Sequence, residues 1–155
     1  MVEEIRCLTY QTMMRSVGQP VRVWHAALPD LLVAIRKIDD PLFVKYGKEL
    51  PVNHIQLAVG KVFKDGVSWS KIVGVFALCY AMVKNYKDKV DVLMKIVGEF
   101  TTAVHGWAGR WIDSEGGWLA FMDFLKTQEE DKTSLQYAAF TVLALVMVYL
   151  IYLNK

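Results

Sequence analysis

Wound into a helix, the segment 69–83 is apolar on nearly every side. Trp69, Ile72, Val73, Val75, Phe76, Leu78, Cys79, Tyr80 and Val83 leave it almost no polar face. A helix of that kind cannot lie on a surface, so other elements must enclose it. Ser68 stands where an N-cap is wanted, and the helix is expected to run to about Lys84. At 155 residues the chain is one domain's worth of protein, long enough to build the required enclosure.

The rest of the chain supplies apolar stripes at helical spacing. Ile5, Leu8, Thr9 and Met13 form one, ending before Gly18-Gln19-Pro20. Residues 21–28 are ambiguous. Pro29 and Asp30 make a helix start, with a proline early and an acid behind it. Leu31, Ile35 and Ile38 continue that face until Pro41, and a short piece around 42–50 is closed by Pro51. Ile55, Val59, Val62 and Phe63 stripe a helix that stops at Lys64-Asp65-Gly66. Val90, Leu93, Val97, Phe100 and Val104 stripe another. Two short helices, near 107–114 and 118–126, are expected to meet at Gly116-Gly117. No stretch alternates with period two, so the fold class is all-α, a helical bundle around one buried central hydrophobic helix.

A second apolar tract lies at 133–154, where 22 consecutive residues carry no charge. As a helix it would be about 33 Å long, enough to cross a hydrocarbon core of about 30 Å. Glu129, Glu130, Asp131 and Lys132 precede it and Lys155 follows; Tyr137, Tyr149 and Tyr152 stand toward its ends, where tyrosines favour the membrane interface. Phe140 and Leu145 lie inside it. The expected division is a bundle at 1–132 and a membrane anchor at 133–155, inserted after synthesis with the bundle in the cytosol. Met1-Val2-Glu3-Glu4 is acidic, and no signal peptide is expected. The two tracts account for a hydrophobic fraction of 54% beside a charged fraction of 22%.

Other chemistry is not signalled. A net charge of +2 gives no field suited to nucleic acid. Cys7 and Cys79 form neither a metal motif nor a disulfide framework, as suits a reducing compartment. His25, His54 and His105 are isolated. The loop 60–66 has two glycines but lacks the Gly-Lys-Ser/Thr ending of a phosphate loop. Asp39-Asp40 and the pair Asp113 and Glu115 read as caps or solvated faces. No catalytic residue, cofactor or metal is expected, so the chain is not read as an enzyme.

Two segments carry a family resemblance. One is Val62-Phe63-Lys64-Asp65-Gly66-Val67-Ser68-Trp69-Ser70-Lys71-Ile72-Val73, and the other is Trp111-Ile112-Asp113-Ser114-Glu115-Gly116-Gly117-Trp118. They resemble the first and second homology motifs of the Bcl-2 family of apoptosis regulators, in order, separation and helical setting. The resemblance implies a bundle of about eight helices with a surface groove. That groove receives an amphipathic third-homology (BH3) helix from a pro-apoptotic partner, with apolar anchors at i, i+3/i+4 and i+7.

Matching positions imply a groove floor of Ala58, Val62, Val73, Gly74 and Leu78, with Phe43 and Tyr46 on the facing wall and Lys61 at the edge. Lys71 takes the place of the family's arginine, which pairs with an aspartate of the incoming helix; lysine keeps the charge but loses the bidentate fork. Ser68 and Ser70 replace the family's asparagine and glycine around Trp69. Two registers for an internal BH3 segment compete. Leu28-Pro29-Asp30-Leu31-Leu32 has a proline at the family's glycine, and Leu31, Ile35, Ile38, Asp40 and Leu42 are interrupted by Pro41.

By resemblance, three functions stand open. The first is a regulator that sequesters BH3 helices at a mitochondrial outer or endoplasmic-reticulum membrane, and the pro-survival sense is the one leaned to. The second is a pore-forming effector of the BOK and BAK kind. Lys71, Leu57-Ala58-Val59, Gly98-Glu99-Phe100 and Arg110-Trp111-Ile112 look most like that branch. The third is a tail-anchored adaptor without a death role. Partners are BH3 helices, the membrane through the last helix, and family members in homo- or hetero-oligomers; nucleic acid is not among them.

Overall fold

The structure, a computed structural model, describes residues 1–21, 25–38, 41–127 and 132–153. Among them there is no strand, and eight α-helices carry the fold. They are α1 (Val2–Ser16), α2 (Leu28–Ile38), α3 (Pro41–Glu49), α4 (Ile55–Phe63), α5 (Trp69–Val83), α6 (Val90–Ser114), α7 (Gly117–Thr127) and α8 (Lys132–Leu153). Single 3-10 turns at Val52–His54 and Lys84–Tyr86 lead into α4 and out of α5.

α5 is the centre, as its lack of a polar face demands. Every residue from Ile72 to Cys79 is buried, and α1, α2, α3, α4, α6 and α8 all pack on it. Its start is set by Ser68, whose Oγ accepts from the Lys71 backbone N–H at 3.2 Å. That bond satisfies one of the four donors a helix start leaves orphaned. The stripes read from the sequence are the buried faces observed: Ile5, Leu8, Thr9 and Met13 of α1, Leu31, Ile35 and Ile38 of α2, Ile55, Val59, Val62 and Phe63 of α4. Asp39, Asp40, Glu129, Glu130, Asp131 and Lys155 lie outside the described residues.

One expectation is corrected. The predicted break before Trp107 is absent, and α6 is a single 25-residue helix. Gly106 interrupts helical propensity by only about 1 kcal/mol. The buried row Phe100, Val104, Ala108 and Ile112 continues straight through it at i+4 spacing, so packing carries the helix across. The real stop is Gly116-Gly117, with φ of +105° and +69°, a left-handed pair that side-chain-bearing residues adopt only under strain. α7 restarts at once and ends at Thr127, and α8 begins at Lys132.

Candidate functional site

Helices α2 to α5 leave a cleft along one side of the bundle, and α8 lies in it, packed on all four. Because α8 is apolar all round, fit rather than polarity decides which face turns inward. The inward residues are Leu135, Ala139, Val142, Leu143, Val146, Tyr149 and Leu150, each at most 6% exposed. Leu135, Ala139, Val142, Val146 and Tyr149 repeat at i, i+4, i+7, i+11 and i+14, the spacing of one helix face.

The floor of the cleft is α5 at Gly74. A Cβ built there would stand 2.6 Å from Val142 Cγ2 and 3.2 Å from Val142 Cβ, so the close approach of the two helices requires glycine. On the α3 wall, Phe43 faces Ala139, Phe140 and Leu143 across the cleft beside Lys37, Ile38 and Pro41. Tyr46 Oη donates to Met147 Sδ at 3.2 Å. At the entry to α4, His54 Nδ1 and Tyr149 Oη share a hydrogen bond of 2.8 Å. Lys61 of α4 lies beside Leu145, Val148, Tyr149 and Tyr152.

The sequence-predicted groove residues divide accordingly. Tyr46 and Gly74 meet α8 directly, and Phe43 and Lys61 line cavities together with α8 residues. Ala58, Val62, Val73 and Leu78 are buried in the core beneath. Ser68 is the cap already described, and Ser70 is half-buried. Lys71 Nζ donates to the Gly66 carbonyl at 2.9 Å, which ties the ammonium to the α4–α5 turn. Of the tail residues, Tyr149 is buried, Leu145 half-buried, and Tyr137, Phe140 and Tyr152 are exposed.

Trp69 joins the second motif. Its ring lies 4.7 Å from that of Trp111, edge-on, and 5.2 Å from that of Phe121, stacked. Trp118 stands 5.8 Å from Phe121 and 5.2 Å from His25. Ile112 is wholly buried. The Gly116-Gly117 turn thus folds α7 back so that tryptophans from both motifs share one aromatic cluster, which buttresses the first turn of α5. His25 closes this cluster. Its Nδ1 accepts from the Ala27 N–H at 3.1 Å. Burial holds its pKa below the ordinary value, against a smaller opposing pull from Glu4.

Sequence reasoning missed the occupant of the cleft. The inward spacing of α8 is present in the sequence, but the outward face is equally apolar, so no periodicity singles it out. The roles of Val142, Met147 and His54 follow only from which helix α8 touches.

Residues 33–118 match the family described as apoptosis regulator proteins, Bcl-2 family. Among curated proteins, the chain is 32% identical over 71 residues to apoptosis regulator R11 of Xenopus laevis, covering 43% of this chain and 34% of that protein. It is 37% identical over 67 residues to Bcl-2-like protein 1 of Gallus gallus, covering 42% and 29%, and 34% identical over the same length to the Mus musculus protein of that name. The matched stretch spans about a third of those relatives. No solved structure matches the chain.

Proposed function

The chain belongs to the Bcl-2 family of apoptosis regulators, and from that premise we propose that it captures the BH3 helix of a pro-apoptotic partner in the α2–α5 cleft. One observation carries the reading. The cleft already holds a helix, with α8 placing apolar anchors from Leu135 to Leu150 along it. A cleft that fits one such helix fits the general mode of helix-in-groove recognition. A partner helix must displace α8, and Lys71 must exchange the Gly66 carbonyl for the partner's carboxylate.

The pro-survival sense is favoured by α2. Both of its internal BH3 registers are broken, one by Pro29 at the family's glycine and the other by Pro41 directly after Asp40. An effector has to expose such a segment to oligomerise. The displaced α8 is long and apolar enough to cross a bilayer, and we place it in the mitochondrial outer or endoplasmic-reticulum membrane with the bundle on the cytosolic side.

The test is a panel of BH3 peptides titrated against the full chain and its Lys71→Glu variant. Loss of a carboxylate partner from a desolvated pair costs about 2–5 kcal/mol, so affinity should fall by more than tenfold. The reading fails if no peptide binds, or if Lys71→Glu binds as tightly as the parent. Liposome release then settles the sense: a sequestering protein blocks release by an effector, and an effector causes it.

A further inference from the structure

While α8 occupies the cleft, much of its other face is exposed among the described residues. Tyr137, Phe140, Ala144, Val148 and Ile151 recur at i, i+3, i+7, i+11 and i+14, all exposed, with Tyr152 and Met147 on the flanks. Tyr137, Val148, Ile151 and Tyr152 are 74%, 61%, 56% and 73% exposed, values unusual for a run of large apolar side chains on a soluble surface. The stripe is roughly 22 Å long at 1.5 Å per residue and has a tyrosine at each end. Tyrosine prefers the boundary between headgroup and acyl chain.

Among the described residues, three lysines stand beside the stripe. Lys61 lines the cleft edge against Val148 and Tyr152, and Lys37 lines it against Phe140. Lys45 Nζ lies over the ring of Tyr46, 5.7 Å from its centre, beside the Tyr46 to Met147 contact. Among the described residues that line the pockets along α8, one is a carboxylate, Glu49, near Leu150 and Leu153.

We propose that this outward stripe binds an anionic lipid surface while α8 is still docked, so that the protein lies on a membrane before its last helix enters it. The inference rests on the membrane reading above but concerns an earlier, peripheral state. An apolar helix face with lysines on its borders is the pattern of an interfacial helix, and the lysines select acidic headgroups. Here the bundle holds the helix in the interfacial plane.

The experiment locks α8 in place. In a Cys7→Ser background, Gly74→Cys and Val142→Cys put two thiols where the Cβ atoms would stand 3.2 Å apart, a few tenths of an ångström inside the usual disulfide range. The full chain, oxidised or reduced, is floated with vesicles of phosphatidylcholine containing about 30% phosphatidylserine. The oxidised protein should bind within about twofold of the reduced protein. Phe140→Asp with Ile151→Asp should lower binding of the oxidised protein by more than about tenfold. Lys61→Gln should lower it about fivefold on anionic vesicles and leave neutral vesicles unaffected.

Binding by the reduced protein alone overturns the proposal while leaving an inserted anchor standing. Undiminished binding of the double aspartate variant overturns it outright. So does a dimer of the oxidised protein that buries the stripe against a second copy. If the disulfide does not form, hydrogen exchange on the vesicle-bound parent decides: α5 amides around Gly74 should stay protected, and their exposure sinks the idea.

Discussion

Gly74→Ala separates the stability of α5 from the docking of α8. In the interior of a helix the change itself is favourable by about 0.8–1 kcal/mol. The new methyl, however, would sit 2.6 Å from Val142 Cγ2, where carbon atoms prefer about 3.5–4.0 Å. Overpacking of this order costs about 1–3 kcal/mol. α5 is gripped on all sides and cannot yield, so α8 must move. A cost of about 1–3 kcal/mol lowers the docked-to-released ratio about 5- to 150-fold. Native-state hydrogen exchange reads this directly, because local opening sets the exchange rate of each helix separately. Amides of α8 should exchange faster by that factor, while α5 amides exchange no faster than in the parent. Val142→Ala in the Gly74→Ala background removes both γ-methyls and should return part of the protection, the signature of coupled neighbours. Unchanged α8 exchange in Gly74→Ala, or a double variant looser than the single one, would refute the reasoning.

Ser68→Ala should cost about 1 kcal/mol by stripping the cap from α5, with thermal unfolding as the measure and Ser68→Asn as a variant that retains the cap. The pKa of His25 is held below its unfolded value, so the unfolded chain binds the extra proton; stability is fully present above about pH 6.5 and falls as pH drops through the folded pKa. His25→Gln should flatten that part of the melting-temperature profile, and a profile unchanged by the substitution counts against the assignment. Burial pushes the Cys79 thiol up to about 12, whereas Cys7 is exposed. A thiol reagent at mild alkaline pH should therefore add once to the native protein and twice in denaturant. Two adducts under native conditions would show that α5 is less enclosed than described.

The core of this fold was legible because its signals are local. The absence of a polar face on 69–83 demanded enclosure, Ser68 announced the start of α5, and Gly116-Gly117 announced the stop of α6. The break wrongly expected before Trp107 shows the limit. A glycine inside a helix is a weak local penalty, and whether it ends the helix depends on rows of contacts that sequence spacing alone does not weigh. The candidate site was legible as a set of positions but not as an occupied place. Gly74 is a glycine because of Val142, 68 residues later in the chain. Trp69 stands in the first motif, and its nearest ring partners lie in α6 and α7, which no spacing within that motif announces.

Only four residues join Thr127 to Lys132, and that short tether sets how the cleft behaves. Docking of α8 is unimolecular, so it proceeds at an effective concentration in the millimolar range, whatever the amount of protein present. Any free helix competes against that standing occupancy, and its apparent affinity is reduced by the fraction of clefts that are open. The inward face of α8 cannot lie against Gly74 and in a hydrocarbon interior at once. If lipid draws α8 out and the vacated cleft captures another helix, as proposed above, linkage requires each event to favour the other by the same factor. On that proposal, cleft and bilayer are two solvents for one helix, and the partition between them is the quantity a regulator would adjust.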